Sequence, residues 1–301
     1  MVSTASSSST VLPPALPSEG SSSSKLLALA DDAQRVIFEL LSDALRPIVA
    51  LKLSSCCLEL RAVSEEARKQ LRRRYGAARQ LCARMNTSFA AVGESTELLW
   101  YGQSLTVAHL ATLGSLLSTN ALPMLEVLNL SINRFGAEGM QTLFKELGHG
   151  SLPRLLTLDL TGNALGSAGA AALAATLRRG ALPKLQVLKL GRNDIGDQGL
   201  VALAPPLRRL PALREVYLYS NKIGGVGVEA LLANLGDQEQ LRQLQTLNLE
   251  RNLIDDAGCT TLIAALDCAL PPLESLRIDE NPRMSDEAKN AALGRARRTD
   301  R

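Results

Sequence analysis

Six blocks of this 301-residue chain repeat one phrase, and that phrase limits the fold more than any other feature. "LEVLNLSIN" (125–133), "LLTLDLTGN" (155–163), "LQVLKLGRN" (185–193), "LREVYLYSN" (213–221), "LQTLNLERN" (244–252) and "LESLRIDEN" (273–281) all read LxxLxLxxN, with Val216 and Ile278 as apolar replacements. The asparagines Asn133, Asn163, Asn193, Asn221, Asn252 and Asn281 stand 30, 30, 28, 31 and 29 residues apart. A period of this size is one supersecondary unit that cannot bury its apolar face alone and must stack on its neighbours.

Each asparagine is followed by a second phrase: "RFGAEG", "ALGSAG", "DIGDQG", "KIGGVG", "LIDDAG". An apolar residue sits two places past Asn (Phe135, Leu165, Ile195, Ile223, Ile254), with a glycine four places later (Gly139, Gly169, Gly199, Gly227, Gly258). Leucines at i, i+4 then mark one helical face, as at Leu173–Leu177, Leu203–Leu207, Leu231–Leu235 and Leu262–Leu266. Each unit therefore reads as a short strand, a turn and a helix that returns to the next strand. "LPMLE", "LPRLL" and "LPKLQ" mark helix exits, because proline cannot continue a helix. By the same rule Pro205 and Pro206 predict a shortened or kinked helix in the "APPLRRL" stretch (204–210). Counting back 30 residues from Asn133, Leu128 and Leu130 reaches Gln103, Leu98 and Trp100. "ELLWYGQSL" (97–105) is thus a seventh, degenerate unit with Trp100 in its core. "NPRMSDEAKNAAL" (281–293) lacks the turn glycine and reads as the carboxy-terminal cap.

Residues 122–293 resemble leucine-rich repeats of the ribonuclease-inhibitor type. The resemblance implies an α/β solenoid, a horseshoe with parallel strands on its concave face and helices outside. It also implies that the six asparagines form a structural ladder, their amides satisfying the turn backbone. Strand side chains alternate, so the residues between the leucines face the concavity. One such column is Asn129, Asp159, Lys189, Tyr217, Asn248, Arg277; the next is Ser131, Thr161, Gly191, Tyr219, Glu250, Asp279. The degenerate unit adds Leu99 and Tyr101. Three of the four tyrosines fall on this face. Tyrosine and arginine are typical interface anchors, so Tyr101, Asp159, Lys189, Tyr217, Tyr219, Asn248, Glu250 and Arg277 are the expected contacts of a protein partner.

Composition agrees with small stacked units and argues against other classes. Hydrophobic residues make up 46% and aromatics 3%, so the core is built of Leu and Ala rather than rings. The formal charge of +3 and a basic cluster confined to "GRARRTDR" (294–301) point away from nucleic acid. Five cysteines without a CxxC pair and two distant histidines, His109 and His149, supply no metal constellation and imply reduced thiols in a cytoplasmic or nuclear, unsecreted protein. No phosphate-cradling GxxxxGK[ST] and no Ser/His/Asp or Cys/His arrangement occurs, so no cofactor and no catalytic chemistry are expected. No stretch reaches transmembrane length, and no membrane partner is expected. Activators of Ran-family GTPases are the one catalytic precedent within this repeat type. Arg134, Arg192 and Arg251, beside the asparagine turns, are the matching arginines, although the family's acidic tail has a basic counterpart here.

The chain divides into a Ser/Pro-rich disordered leader (1–27), a helical segment (28–92), the repeat domain (93–293) and a basic tail (294–301). Within the second, "DDAQRVIFELL" and "PIVALKLSSCCLELRAV" resemble an F-box, the motif that ties a substrate receptor to the Skp-type linker of a cullin ubiquitin ligase. The resemblance gives Ile37, Phe38, Leu40, Ile48 and Leu51 the linker-binding and core positions. Leu29-Ala30 replaces the family's Leu-Pro, and Gln34 stands where an apolar residue is usual. The alternative is a helical cap, reaching down to "RRRYGAARQLCARM" (72–85), that shields the first repeat. The expected function is protein recognition without catalysis, with ligase receptor, plain scaffold and GTPase activator as its particular forms.

Overall fold

The computed structural model describes residues 65–233, 241, 243–268, 270 and 273–296. The chain divides into two compact units, and the repeats all lie in the one that runs from Leu71 onward.

Seven three-residue strands form one parallel sheet in chain order: β1 (Glu97–Leu99), β2 (Val127–Asn129), β3 (Thr157–Asp159), β4 (Val187–Lys189), β5 (Glu215–Tyr217), β6 (Thr246–Asn248) and β7 (Ser275–Arg277). Leu98, Leu128, Leu158, Leu188, Val216, Leu247 and Leu276 pair in register across it, so the asparagine period is also the pairing offset. The first six of these are buried, and the residues on either side of them mostly face out. β1 confirms the degenerate seventh unit, with Trp100 buried as expected.

Helices α1 (Glu65–Arg84) and α2 (Phe89–Glu94) precede the sheet. Between and after the strands run α3 (Val107–Ser118), α4 (Gly136–Phe144), α5 (Gly166–Arg178), α6 (Gly196–Arg208), α7 (Gly225–Leu232), α8 (Asp256–Cys268) and α9 (Asp286–Ala296). α5 shows why they form: Ala170, Leu173, Ala174 and Leu177 are buried on one face, with Ala and Leu among the best helix formers. Strands sit about 4.8 Å apart whereas packed helices need about 8–10 Å, so the stack bends with the sheet inside. Close stacking also explains the repeated glycine. A Cβ on Gly199 would lie 2.6 Å from Ile195 Cγ2 and 3.1 Å from Ala170 Cβ, so this turn of α6 has no room for a side chain.

Two expectations need correction. α6 runs through Pro205 and Pro206 for 13 residues, the same length as α5, rather than ending early. The missing N–H groups fall in the last turns, where Pro206 is buried with Leu203 and Leu207. At the carboxy terminus, α9 reaches Ala296, three residues into the stretch read as tail. Ala296 is buried and Arg295 bridges Asp267 at 2.7 Å.

The amino-terminal end of the stack is covered from within the unit. Ala78, Leu81 and Cys82 of α1 and Val92 of α2 belong to the same core as Leu98, Trp100 and Leu110. Tyr75 stacks flat on Phe89, ring centroids 5.0 Å apart. The linker-binding candidates Ile37, Phe38, Leu40, Ile48 and Leu51 lie outside the described residues.

α3 begins with a pH-sensitive cap. The Thr106 N–H donates to His109 Nδ1 (3.2 Å) while Thr106 Oγ1 accepts from the His109 N–H (3.4 Å). Nδ1 can accept only when unprotonated, and burial together with nearby Arg84 holds this imidazole below the ordinary histidine range. A histidine pKa lowered on folding means that the unfolded chain binds the proton first. Stability should therefore fall as pH drops through about 6.5 towards the folded value, then level off, by up to the roughly 1 kcal/mol of one cap. Urea unfolding across pH checks this, and His109→Gln should flatten the curve.

Candidate functional site

The open face of the sheet presents the two expected columns, and the structure divides their residues into three sets. Leu99 and Tyr101 stand free of the sheet, 51% and 57% exposed. Asn129, Asp159 and Asn248 are structural instead: each side-chain oxygen accepts the backbone N–H two residues on, from Ser131, Thr161 and Glu250, at 3.0 Å. This Asx-type closure holds the strand exit in place. Asn248 is only 4% exposed and also donates to Glu250 Oε2 at 3.2 Å, which corrects its expected role as a partner contact. Asp159 stays half-exposed, with a second oxygen outside that bond.

The third set is an aromatic and cationic row. Lys189, Tyr217, Asn248 and Arg277 occupy matching positions on β4, β5, β6 and β7. The Lys189 ammonium lies 5.7 Å from the Tyr217 ring centroid, within cation–π reach. Tyr217 Oη donates to Glu215 Oε2 at 2.8 Å. Burial, then the Glu215 bond and charge, push the Tyr217 phenol above its ordinary value against the opposing pull of Arg277, so it remains a neutral donor. Tyr219 lies over Gly191, where an added Cβ would be 2.3 Å from Tyr219 Cζ. Gly191 is therefore the seat of the ring, and both tyrosines are held half-buried before any partner arrives. Gly191→Ala should displace Tyr219 and cost about 1–2 kcal/mol by overpacking, read by urea unfolding. Glu250 is half-buried and Arg277 exposed beside them.

Beneath the columns the asparagine ladder fixes the turns. Asn193 Nδ2 donates to Leu160 O and Leu190 O at 2.9 Å, and its Oδ1 accepts the Asn163 N–H at 2.8 Å. Asn133, Asn163, Asn221, Asn252 and Asn281 bridge their neighbours in the same manner, all 7% exposed or less. Left-handed residues flank this ladder, among them Ile132 and Arg134, Gly162 and Ala164, Arg192 and Asp194, Ser220 and Lys222. Ile132, β-branched with φ 59° and 60% exposed, is the strained member, at a position that the neighbouring units give to Gly102 and Gly162. Ile132→Gly should raise stability by about 1 kcal/mol in thermal unfolding.

Arg134, Arg192 and Arg251 all stand on these turns, and Arg251 is tied to Glu280 through two bonds of 2.8 and 2.9 Å. Among the described residues no group of three or more His, Cys, Asp or Glu could hold a metal, and no helix is long and apolar enough to cross a membrane. Cys82 and Cys259 are buried free thiols, their pKa raised chiefly by burial.

A sequence reading missed three features. Small Gly191 registered against Tyr219, and Asn or Asp two places before the strand exit, were the available signals for the first two. The third is α1. Between Ala67 and Gly93 there are seven cations (Arg68, Lys69, Arg72, Arg73, Arg74, Arg79, Arg84) and no carboxylate, so the basic tail is not the only basic cluster.

Seven stacked strand–helix units, six of them with a buried asparagine at the turn, define a leucine-rich repeat solenoid. A leucine-rich repeat family model matches residues 121–144, 152–174, 181–204 and 210–232, which are the second to fifth units of this solenoid. No curated protein matches the chain. Repeats of this class serve in general as protein-interaction modules.

Proposed function

We propose that this protein is a non-enzymatic recognition module of the ribonuclease-inhibitor type, binding a protein partner on the open face of its sheet. The observation that carries the reading is the preset row of Lys189, Tyr217, Tyr219 and Arg277, two half-buried rings flanked by two cations. Rings fixed before binding lose little side-chain entropy on contact, which favours them as anchors. Tyr101 and Leu99 extend the surface at the amino-terminal end, and Asp159 and Glu250 supply the opposite charge. Mixed charge around aromatic anchors suits a protein surface or peptide. A photo-crosslinking amino acid at Tyr219 tests this against one at exposed Ala171 on α5. A discrete protein adduct from position 219 and none from 171 is the expected result; equal labelling from both sites counts against the reading.

The finer role we assign is substrate receptor of a cullin-type ubiquitin ligase, in the cytoplasm or nucleus, resting on the F-box resemblance of residues 31–63. Charge substitution at Ile37 and Leu40 should abolish capture of the Skp-type linker, and capture indifferent to both leaves a scaffold. The GTPase-activator reading is less favoured, because Arg251 is already paired with Glu280.

A further inference from the structure

The chain carries +3 overall, whereas helix α1 (Glu65–Arg84) holds seven cations against Glu65 and Glu66, +5, leaving −2 for everything else, so its charge is segregated. Helix α1 displays that charge. Its apolar residues Leu71, Ala78, Leu81 and Cys82 are buried in the core, while Arg72, Arg73, Arg74, Arg79 and Arg84 are exposed. Arg84 donates to Gln103 O at 2.7 Å, whereas Arg72, Arg73, Arg74 and Arg79 have no acidic partner among the described residues. At about 100° per residue, Arg72 and Arg79 share one flank of the exposed half and Arg73 and Arg84 the other, about 100–140° away. Over residues 72–84 the crest between them carries Gly76, Gln80 and Ala83, all uncharged, while the first turns place Glu65 and Lys69, paired at 3.2 Å, on the same line and Glu66 on the second flank.

We infer that this basic half-helix docks on duplex DNA through the phosphate backbone, beyond the protein recognition assigned to the sheet. The major groove is about 12 Å wide, admits a helix and sets a phosphate strand on either side, matching the two guanidinium flanks around the uncharged crest of residues 72–84. An anionic membrane is the poorer fit, since interfacial helices insert an apolar face and this one is spent on the core. An acidic peptide would neutralise one flank and leave the other. With Gln80 the one crest side chain long enough to reach a base edge, binding should be independent of sequence and governed by salt.

Fluorescence anisotropy with the full chain and a labelled random-sequence 20-base-pair duplex tests this. Four phosphate contacts predict a log–log salt slope near −3.6, or roughly 150-fold weaker binding at 200 mM than at 50 mM salt. The triple variant Arg72→Gln, Arg73→Gln, Arg79→Gln should bind weakly and change only about fourfold over that range, with an unchanged melting temperature. Replacing the same three by lysine should keep the slope, since charge is retained. No binding at 50 mM salt, or a slope unaltered in the glutamine variant, overturns the proposal. So does tighter binding to phosphatidylserine vesicles or to polyglutamate than to the duplex.

Discussion

Asn193→Ala should lower unfolding free energy by about 3–4 kcal/mol, a large effect for a single polar substitution. Asn193 is fully buried, and its amide joins the backbone of two repeats: Leu160 O and the Asn163 N–H of one, and Leu190 O of its own. The two carbonyls keep a second donor each, from Asn163 and Asn221, so they are weakened rather than orphaned. Among the described residues the Asn163 N–H has no other hydrogen-bond acceptor, and it would be stranded in the core. Stranding one buried donor costs about 1–3 kcal/mol, and weakening two acceptors adds about 1 kcal/mol each at most. Asn193→Asp should be no milder, since it keeps the acceptor but sets a carboxylate against two carbonyls. Asn281→Ala, at the last unit and 7% exposed, should cost less because its inter-repeat bonds reach only the preceding repeat and, among the described residues, no strand stacks beyond β7. Urea unfolding of the three variants ranks them. A loss below about 1 kcal/mol at Asn193 would contradict the ladder account.

Tyr217→Ala combined with Tyr219→Ala should weaken partner binding by about 1000-fold while leaving the fold intact. Truncating a central aromatic anchor commonly costs about 2 kcal/mol or more, and the two rings are adjacent. Their neighbours lose little: Glu215 is released to solvent, Lys189 gives up a cation–π contact of about 0.5–1 kcal/mol, and Gly191 becomes uncovered. Stability should therefore change by no more than about 1–2 kcal/mol, far less than for Asn193→Ala. Isothermal titration with the crosslinked partner reads the affinity, and circular dichroism reads the fold. Equal affinity for the double variant would move the anchor elsewhere, with Leu99 and Tyr101 the next candidates.

Much of the fold is legible because the repeat states it six times. Leu128, Leu158 and Leu188 must lie in register once the asparagines are 30 residues apart, and they do. Even Trp100 is placed by subtraction alone. The full length of α6 was not legible, because proline rules describe an isolated helix, whereas Pro206 packs against a core that the whole stack supplies. The site was half legible. Alternation correctly puts Tyr217, Tyr219 and Lys189 outward, but it cannot tell an outward side chain that is free from one that folds back on its own strand. Asn248 does the latter, and only the position of Glu250 shows it. The basic face of α1 was visible in "RRRYGAARQLCAR" and hidden by a near-neutral total charge.

Hydroxyl-radical footprinting of the protein–partner complex tests the central claim most directly, because it reads each face of the solenoid in one experiment. Tyr101, Tyr217 and Tyr219 report the open face, while Met124 and Val201, 39% and 45% exposed, report surfaces away from it. Recognition by the sheet predicts that the three tyrosines are protected and that Met124 and Val201 oxidise as in the free chain. Protection of Met124 and Val201 with the tyrosines unchanged would contradict it.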